Sequence, residues 1–214
     1  MRWLAVILIA MVSFSACKKQ VTKTTVSGTV VDYCQGTPIA DAYVYLELWQ
    51  GTSSKVWGYV DGVQTGADGK FEFEFRAVKK DDEGYLIRVV KDGYYEIGGL
   101  FGLYPIDPLI TKKEDNQLTY GIVPEASVEV NAINQNPFDD NDEICVTTLV
   151  IDQNLPYSCR TGQFVNEGIE SMSVAAGNCY NLLEYSVTKN NITTNYIDSI
   201  FCEPFLTTVH TIYY

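Results

Sequence analysis

The sequence predicts an all-β protein, organised as two β-sandwich domains in tandem behind a short leader, and three observations carry that expectation. Its 214 residues include fifteen Tyr, nine Phe and three Trp beside many Val, Ile and Thr, types that suit a pleated, half-buried surface better than a helix. Short apolar–polar alternations such as KFEFEFR at residues 70–76 recur, each bounded by Gly, Pro, Asn or Asp, and no segment keeps a 3.6-residue period. Hydrophobic residues make up 46% against 20% charged, so burial of apolar surface can offset chain entropy and the chain folds.

The first segment is an address. Met1 to Ala16 reads MRWLAVILIAMVSFSA, with Arg2 as the positive start and Leu4 to Val12 as an apolar run too short to span a bilayer, the pattern of a signal peptide at residues 1–16. Ser15 and Ala16 then precede Cys17, and Phe14 supplies apolar bulk. This resembles the lipobox of bacterial lipoproteins. The resemblance implies a lipidated Cys17 as the mature N-terminus, a polar tether over residues 17–24, and a place in the bacterial cell envelope as an outer-membrane lipoprotein, facing the periplasm or the surface. Each buried acyl methylene contributes about 0.8 kcal/mol, so such an anchor makes the membrane a partner.

After the tether the elements follow in order. Thr25 to Asp32 alternates as a strand, Gln35 to Pro38 is turn chemistry, and Ala42 to Gln50 resumes a β pattern. Lys55 to Val60 is a further short strand. The Ala67-Asp68-Gly69 turn leads into a strand that sets Phe71, Phe73 and Phe75 on one face and Lys70, Glu72 and Glu74 on the other. Asp81 to Gly84 is a polar turn, Tyr85 to Lys91 a strand, and Asp92 to Tyr95 closes the unit. The succession VSGTVVD, GTPIADAYVYL, TGADGKFEFEF and YLIRVVKDGYYE resembles the carboxypeptidase-regulatory-like domain, including Gly28, Pro38, Ala40, the Asp-Gly turn and the terminal Gly93-Tyr94. That resemblance implies a transthyretin-like sandwich over residues 25–97.

Residues 98–116 hold Gly98, Gly99, Gly102, Pro105 and Pro108 and read as a connection. Beyond it, seven short strands are expected, at Leu118–Val123, Ala126–Ile133, Ile144–Ile151, Ile169–Ala175, Cys179–Thr188, Asn195–Phe201 and Leu206–Tyr214. Seven strands over residues 117–214 make a second sandwich.

With Cys17 assigned to lipid, Cys145, Cys159, Cys179 and Cys202 form an even group that allows two disulfides in an oxidising compartment. Three connectivities are open, and sequence proximity favours Cys145 with Cys159 and Cys179 with Cys202. Cys34, in the turn DYCQGTP, is left as a free thiol or an intermolecular contact. No CxxC spacing supports zinc.

Charge and motif content limit the chemistry. Asp plus Glu number 27 against 15 Lys plus Arg, a net −12 that repels phosphate backbones and excludes nucleic acid as a partner. The one His, His210, stands in a strand pattern and no GxSxG elbow occurs, so an enzyme is not expected. Two constellations remain. Tyr43, Tyr45 and Trp49 share one face of their strand, opposite Val44, Leu46 and Leu48, and could contact a sugar or a protein. Asp139, Asp140 and Asp142 lie in the densest oxygen cluster, a hard-ligand set that could hold calcium, the one cofactor considered. The expected role is binding or structural presentation at the cell envelope, toward an envelope protein or a glycan. The alternatives are a carbohydrate-binding accessory lipoprotein of an outer-membrane uptake system and a carboxylate-dependent hydrolase.

Overall fold

A computed structural model describes residues 23–50, 56–77, 83–96, 110–150, 153–154, 158–163 and 165–214. The signal segment, Cys17 and residues 98–109 of the connection lie outside them. Every regular element described is a strand: β1 (Lys23–Asp32), β2 (Tyr43–Gln50), β3 (Val56–Gln64), β4 (Lys70–Arg76), β5 (Glu83–Val90), β6 (Tyr94–Glu96), β7 (Asp115–Ile133), β8 (Glu143–Val150), β9 (Gln153–Asn154), β10 (Ser158–Thr161), β11 (Asn166–Ala176), β12 (Cys179–Lys189), β13 (Ile192–Cys202) and β14 (Thr207–Tyr213). The protein is all-β.

The first sandwich sets β4, β1 and the leading half of β7 against the sheet β3-β2-β5. Period-2 alternation decides what enters the core. Val26 and Val30 of β1, Phe71 and Phe73 of β4, Val44 and Leu46 of β2 and Ile87 and Val89 of β5 are buried, and Ile110, Tyr120 and Ile122 join the same cluster. Gly28 makes this packing possible. A Cβ there would stand 2.5 Å from the Leu118 carbonyl oxygen and 2.6 Å from the Phe71 ring, because β1 is held between β4 and β7 and Phe71 lies across the gap. Gly28→Ala should therefore cost about 1–3 kcal/mol through overpacking, read as a lowered urea midpoint; an unchanged midpoint would refute this account of the gap.

The second sandwich sets β11, the trailing half of β7 and β14 against β10-β8-β12-β13, with β9 paired to β8. Val128 and Val130 of β7 meet Ile144, Leu183, Val187 and Ile200 of the opposite sheet, with Ile212 of β14 closing the edge.

One strand belongs to both cores. Residues 115–122 of β7 run parallel to β1, Ile122 to Pro124 pair with β6, residues 125–133 pair with β11 on one side, and residues 127–133 pair with β14 on the other. The two strands expected at Leu118–Val123 and Ala126–Ile133 are thus a single 19-residue strand. Pro124 lacks an N–H and would weaken an ordinary central strand, but it stands where the neighbouring strands change, and its carbonyl accepts from Gly177 N at 2.8 Å. Residues 115–122 therefore build the first core, although the sequence reading set the second unit to begin at 117. The strand expected at Lys55–Val60 likewise continues to Gln64.

A second tie joins the sandwiches beside Pro124. The turn after β1 docks on the Gly177-Asn178 turn between β11 and β12 through a disulfide, Cys34–Cys179, whose Cα atoms are 5.5 Å apart. Asp32 is buried at 3% exposure; its Oδ1 accepts from Cys34 N and Gln35 N, each at 2.9 Å, and its Oδ2 from Asn178 Nδ2 at 2.8 Å. Gln35 Nε2 donates to the Asn178 carbonyl at 2.8 Å. Val123, Ala176 and Cys179 form a small apolar cluster there, flanked by Tyr95. The expected Cys179–Cys202 pair is corrected by this arrangement. Cys202 does stand opposite Cys179 in the β12–β13 register, but Cys179 is bonded to Cys34, and Cys202 is a buried free thiol. Proximity along the chain gave Cys145–Cys159, which the structure forms, but misled for Cys179, because the turn-to-turn contact is set by how the two sandwiches meet.

Candidate functional site

The aromatic face grows out of β2. Alternation buries Val44 and Leu46 and turns Tyr43 and Tyr45 to the opposite side, as read from the sequence; the Trp49 side chain lies outside the described residues. Gly62 of β3 stands opposite Tyr45, and the Tyr43 ring lies against it, so a Cβ at Gly62 would come within 2.6 Å of that ring. A register shift between Leu46 and Glu47 then skips Val60 and brings Tyr59 opposite Glu47, on the same side as the other two rings. Tyr43 and Tyr45 have centroids 4.6 Å apart at 51°, and Tyr45 and Tyr59 stand 6.3 Å apart edge to face at 75°. Tyr59 is 65% exposed.

Charged groups border these rings. Arg88 of β5 lies opposite Tyr45, its guanidinium 4.9 Å from the ring centroid, and its Nη2 and Nε reach Glu47 Oε1 at 3.0 and 3.2 Å. Glu47 is nearly buried, so this ion pair is screened less than a surface pair. Three tilted rings beside a fixed Arg–Glu pair can stack against the C–H face of a saccharide and hydrogen-bond its hydroxyls. Tyr59 and Arg88 were missed in the sequence. The GYVDG run around Tyr59 looks like the end of a short strand, and nothing local announces the bulge that turns Tyr59 to this face.

The acidic cluster is a turn built on one carboxylate. Asp142 is fully buried; its Oδ2 accepts from Asn134 Nδ2 and Phe138 N at 2.8 Å and its Oδ1 from Asp139 N at 3.3 Å. Burial opposes its ionisation, but these hydrogen bonds and the Lys189 charge outweigh burial and hold the carboxyl below its ordinary value. Asp139 Oδ1 accepts from Asn141 N at 2.8 Å, and Asp140 Oδ1 accepts from Gln163 Nε2 at 2.9 Å. The three expected ligands thus serve three different contacts. Among the described residues, Glu143, Cys145 and Cys159 bring metal-type ligand atoms within 4.8 Å, but the two cysteines form a disulfide and offer no thiolate.

That disulfide joins residues placed directly opposite each other in the β8–β10 register. Burial pushes the Cys202 thiol up, against hydrogen bonds from Thr208 and Asn181, which keeps it a protonated core residue. His210 Nε2 lies 3.2 Å from Asp198 Oδ2, and Asp198 Oδ1 accepts from Ser199 N at 2.7 Å.

No family model matches the chain, and no curated protein matches it. Among solved structures it is similar to the TIE protein of Bacillus anthracis, at 12% identity and a TM-score of 0.34, over 90% of this chain and 34% of that one. A streptococcal ancillary pilin matches at 12% identity and a TM-score of 0.35, over 92% of this chain and 63% of that one. The minor pilin GBS52 of Streptococcus agalactiae matches at 11% identity and a TM-score of 0.35, over 89% and 94%. The chain therefore spans about a third of the first of these proteins and under two thirds of the second. Likeness at this level carries no argument about family or function. The class of the protein rests on its own strands: an all-β chain of two sandwiches joined through a shared strand.

Proposed function

We propose that this is a non-catalytic lipoprotein of the bacterial cell envelope, whose joined sandwiches present a binding face away from the membrane. The observation that carries the reading is the tie between the two units. A strand common to both cores and a disulfide beside it resist bending at the junction, which suits a body that holds a surface in place. The lipobox resemblance at Ser15-Ala16-Cys17 supports the anchor, and the two disulfides suit an exported, oxidising address. Asp139, Asp140 and Asp142 serve turn contacts, which supports a structural role for this cluster.

The anchor is tested by mass spectrometry of the N-terminal peptide from membrane fractions. An acylated Cys17 is expected, and an unmodified thiol there would overturn the anchor. The exposed Tyr59 and the Arg88–Glu47 pair favour a saccharide as the ligand. On a glycan array, at least one glycan class should bind and should lose tenfold or more in affinity with Tyr59→Ala. Retention of full binding by that variant, or no glycan bound at all, would remove the saccharide reading.

A further inference from the structure

The strand β13 is long and exposed, and among the described residues it is unpaired along one side. It is 11 residues long, ends the sheet β10-β8-β12-β13, and pairs without a break from Ile192 to Cys202 with β12 alone among the described strands. Ile192 is 65% exposed and Ile197 70%, and Tyr196 and Phe201 are exposed beside them. On the adjoining β12, Tyr180 and Leu182 extend the apolar surface, Tyr180 packing edge to face on Phe201 at 5.3 Å. An exposed edge is ordinarily blunted by Lys, Pro or a bulge, and this one contains none of them.

The turn fixes which backbone groups face outward. Asn190 and Asn191 have φ of 50° and 59°, the two positive values of a two-residue I′ hairpin, so Lys189 and Ile192 form its first hydrogen-bonded pair. Bonding then alternates along the strand, which leaves the N–H and C=O groups of Thr193, Asn195, Ile197, Ser199 and Phe201 directed to the open side. The 2.9 Å contact between the Thr188 and Thr193 hydroxyls fits the closer, non-bonded pair this alternation requires. Ser199 N is the one of these donors already engaged, by Asp198 Oδ1.

We infer that β13 is a self-association edge, which pairs antiparallel with β13 of a second copy about a two-fold axis at Ile197. The five outward-facing residues map onto themselves under that axis: Thr193 meets the partner's Phe201, Asn195 meets the partner's Ser199, and Ile197 meets the partner's Ile197. The ribbon forms about ten backbone hydrogen bonds. Charge selects this register. The chain carries −12, which opposes indiscriminate association, yet β13 holds a single charge, Asp198, and the two-fold sets it opposite the partner's Tyr196 and away from the partner's Asp198. A strand of this length runs ~37 Å, and the pairing joins the two copies of β10-β8-β12-β13 into one continuous sheet. Asp198 is the guard on the edge, since its carboxylate must leave Ser199 N before the central pairs close.

The test uses the mature chain with Cys17→Ser, which removes the anchor and leaves the described residues unchanged. Sedimentation equilibrium from micromolar to submillimolar concentration should show the mass doubling. Ile197→Lys, at an exposed position, should hold the chain monomeric, whereas Asp198→Ala should tighten the dimer several-fold. Ile197→Cys should cross-link to a covalent dimer on mild oxidation, because the two-fold brings that residue against its own copy. A monomer at every concentration, a dimer that survives Ile197→Lys, or an Ile197→Cys chain that fails to cross-link would each overturn the inference. None of these results depends on lipidation or glycan binding.

Discussion

Replacing Cys34 and Cys179 together by Ser should lower stability by about 5 kcal/mol in the chain-entropy model, the larger of the two disulfide effects. The bond closes a separation of 145 residues, whereas Cys145–Cys159 closes 14 and should contribute about 3 kcal/mol. Removing the bond also frees the turn that Asp32, Gln35 and Asn178 hold against each other, so the junction loosens with the chain entropy. The double variant is the informative one. Cys34→Ser alone would leave Cys179 opposite the free thiol of Cys202, and oxidation of that pair would mask the loss. Urea titration monitored by fluorescence should show the midpoint fall further for the Cys34/Cys179 variant than for the Cys145/Cys159 variant, with the two sandwiches separating into two transitions. A smaller shift for the Cys34/Cys179 variant, or a single undivided transition, would show that β7 alone couples the units.

Asp142→Ala should cost about 3 kcal/mol, because Asn134 Nδ2 and the Phe138 N–H lose the charged acceptor that the buried Asp142 carboxylate provides while Lys189 loses its nearby counter-charge. The effect depends on pH with a definite sign. The folded-state value is depressed, so the contribution is fully present above the ordinary carboxylate value of 3.8 and is lost as pH falls through the lower folded value. The gap between wild type and variant in urea midpoint should therefore be constant from pH 7 to pH 5 and narrow below about pH 4. A gap that widened on acidification would contradict the turn-anchor role. Millimolar calcium should leave both midpoints unchanged; a rise seen in the wild type and absent in Asp142→Ala would restore the calcium reading of this cluster.

The alternation of KFEFEFR set Phe71 and Phe73 on one face and that of AYVYLE set Val44 and Leu46 opposite the tyrosines, and burial falls on those faces because a strand offers only two and one of them must be dry. The same rule holds through β7, where Tyr120, Ile122, Ala126, Val128, Val130 and Ala132 keep one parity across Pro124. The two strands expected at Leu118–Val123 and Ala126–Ile133 share that parity, and the pairing partners on either side of Pro124 join them into one. The aromatic site was half legible. Tyr43 and Tyr45 followed from their alternation, but Tyr59 needed a bulge and Arg88 needed the neighbour of β2, and both depend on pairing partners far away in the chain.

By itself the sequence determined the β class, the inward faces of the strands and the leader pattern, since each depends on residues a few positions apart and on sterics that act locally. Tertiary structure alone decided that one strand serves two cores, that Cys34 bonds Cys179, and that Asp142 anchors a turn. Those outcomes depend on which surfaces meet after loops of tens of residues close. Loop closure costs little more for one length than for another, so chain distance cannot rank such pairings and packing decides among them.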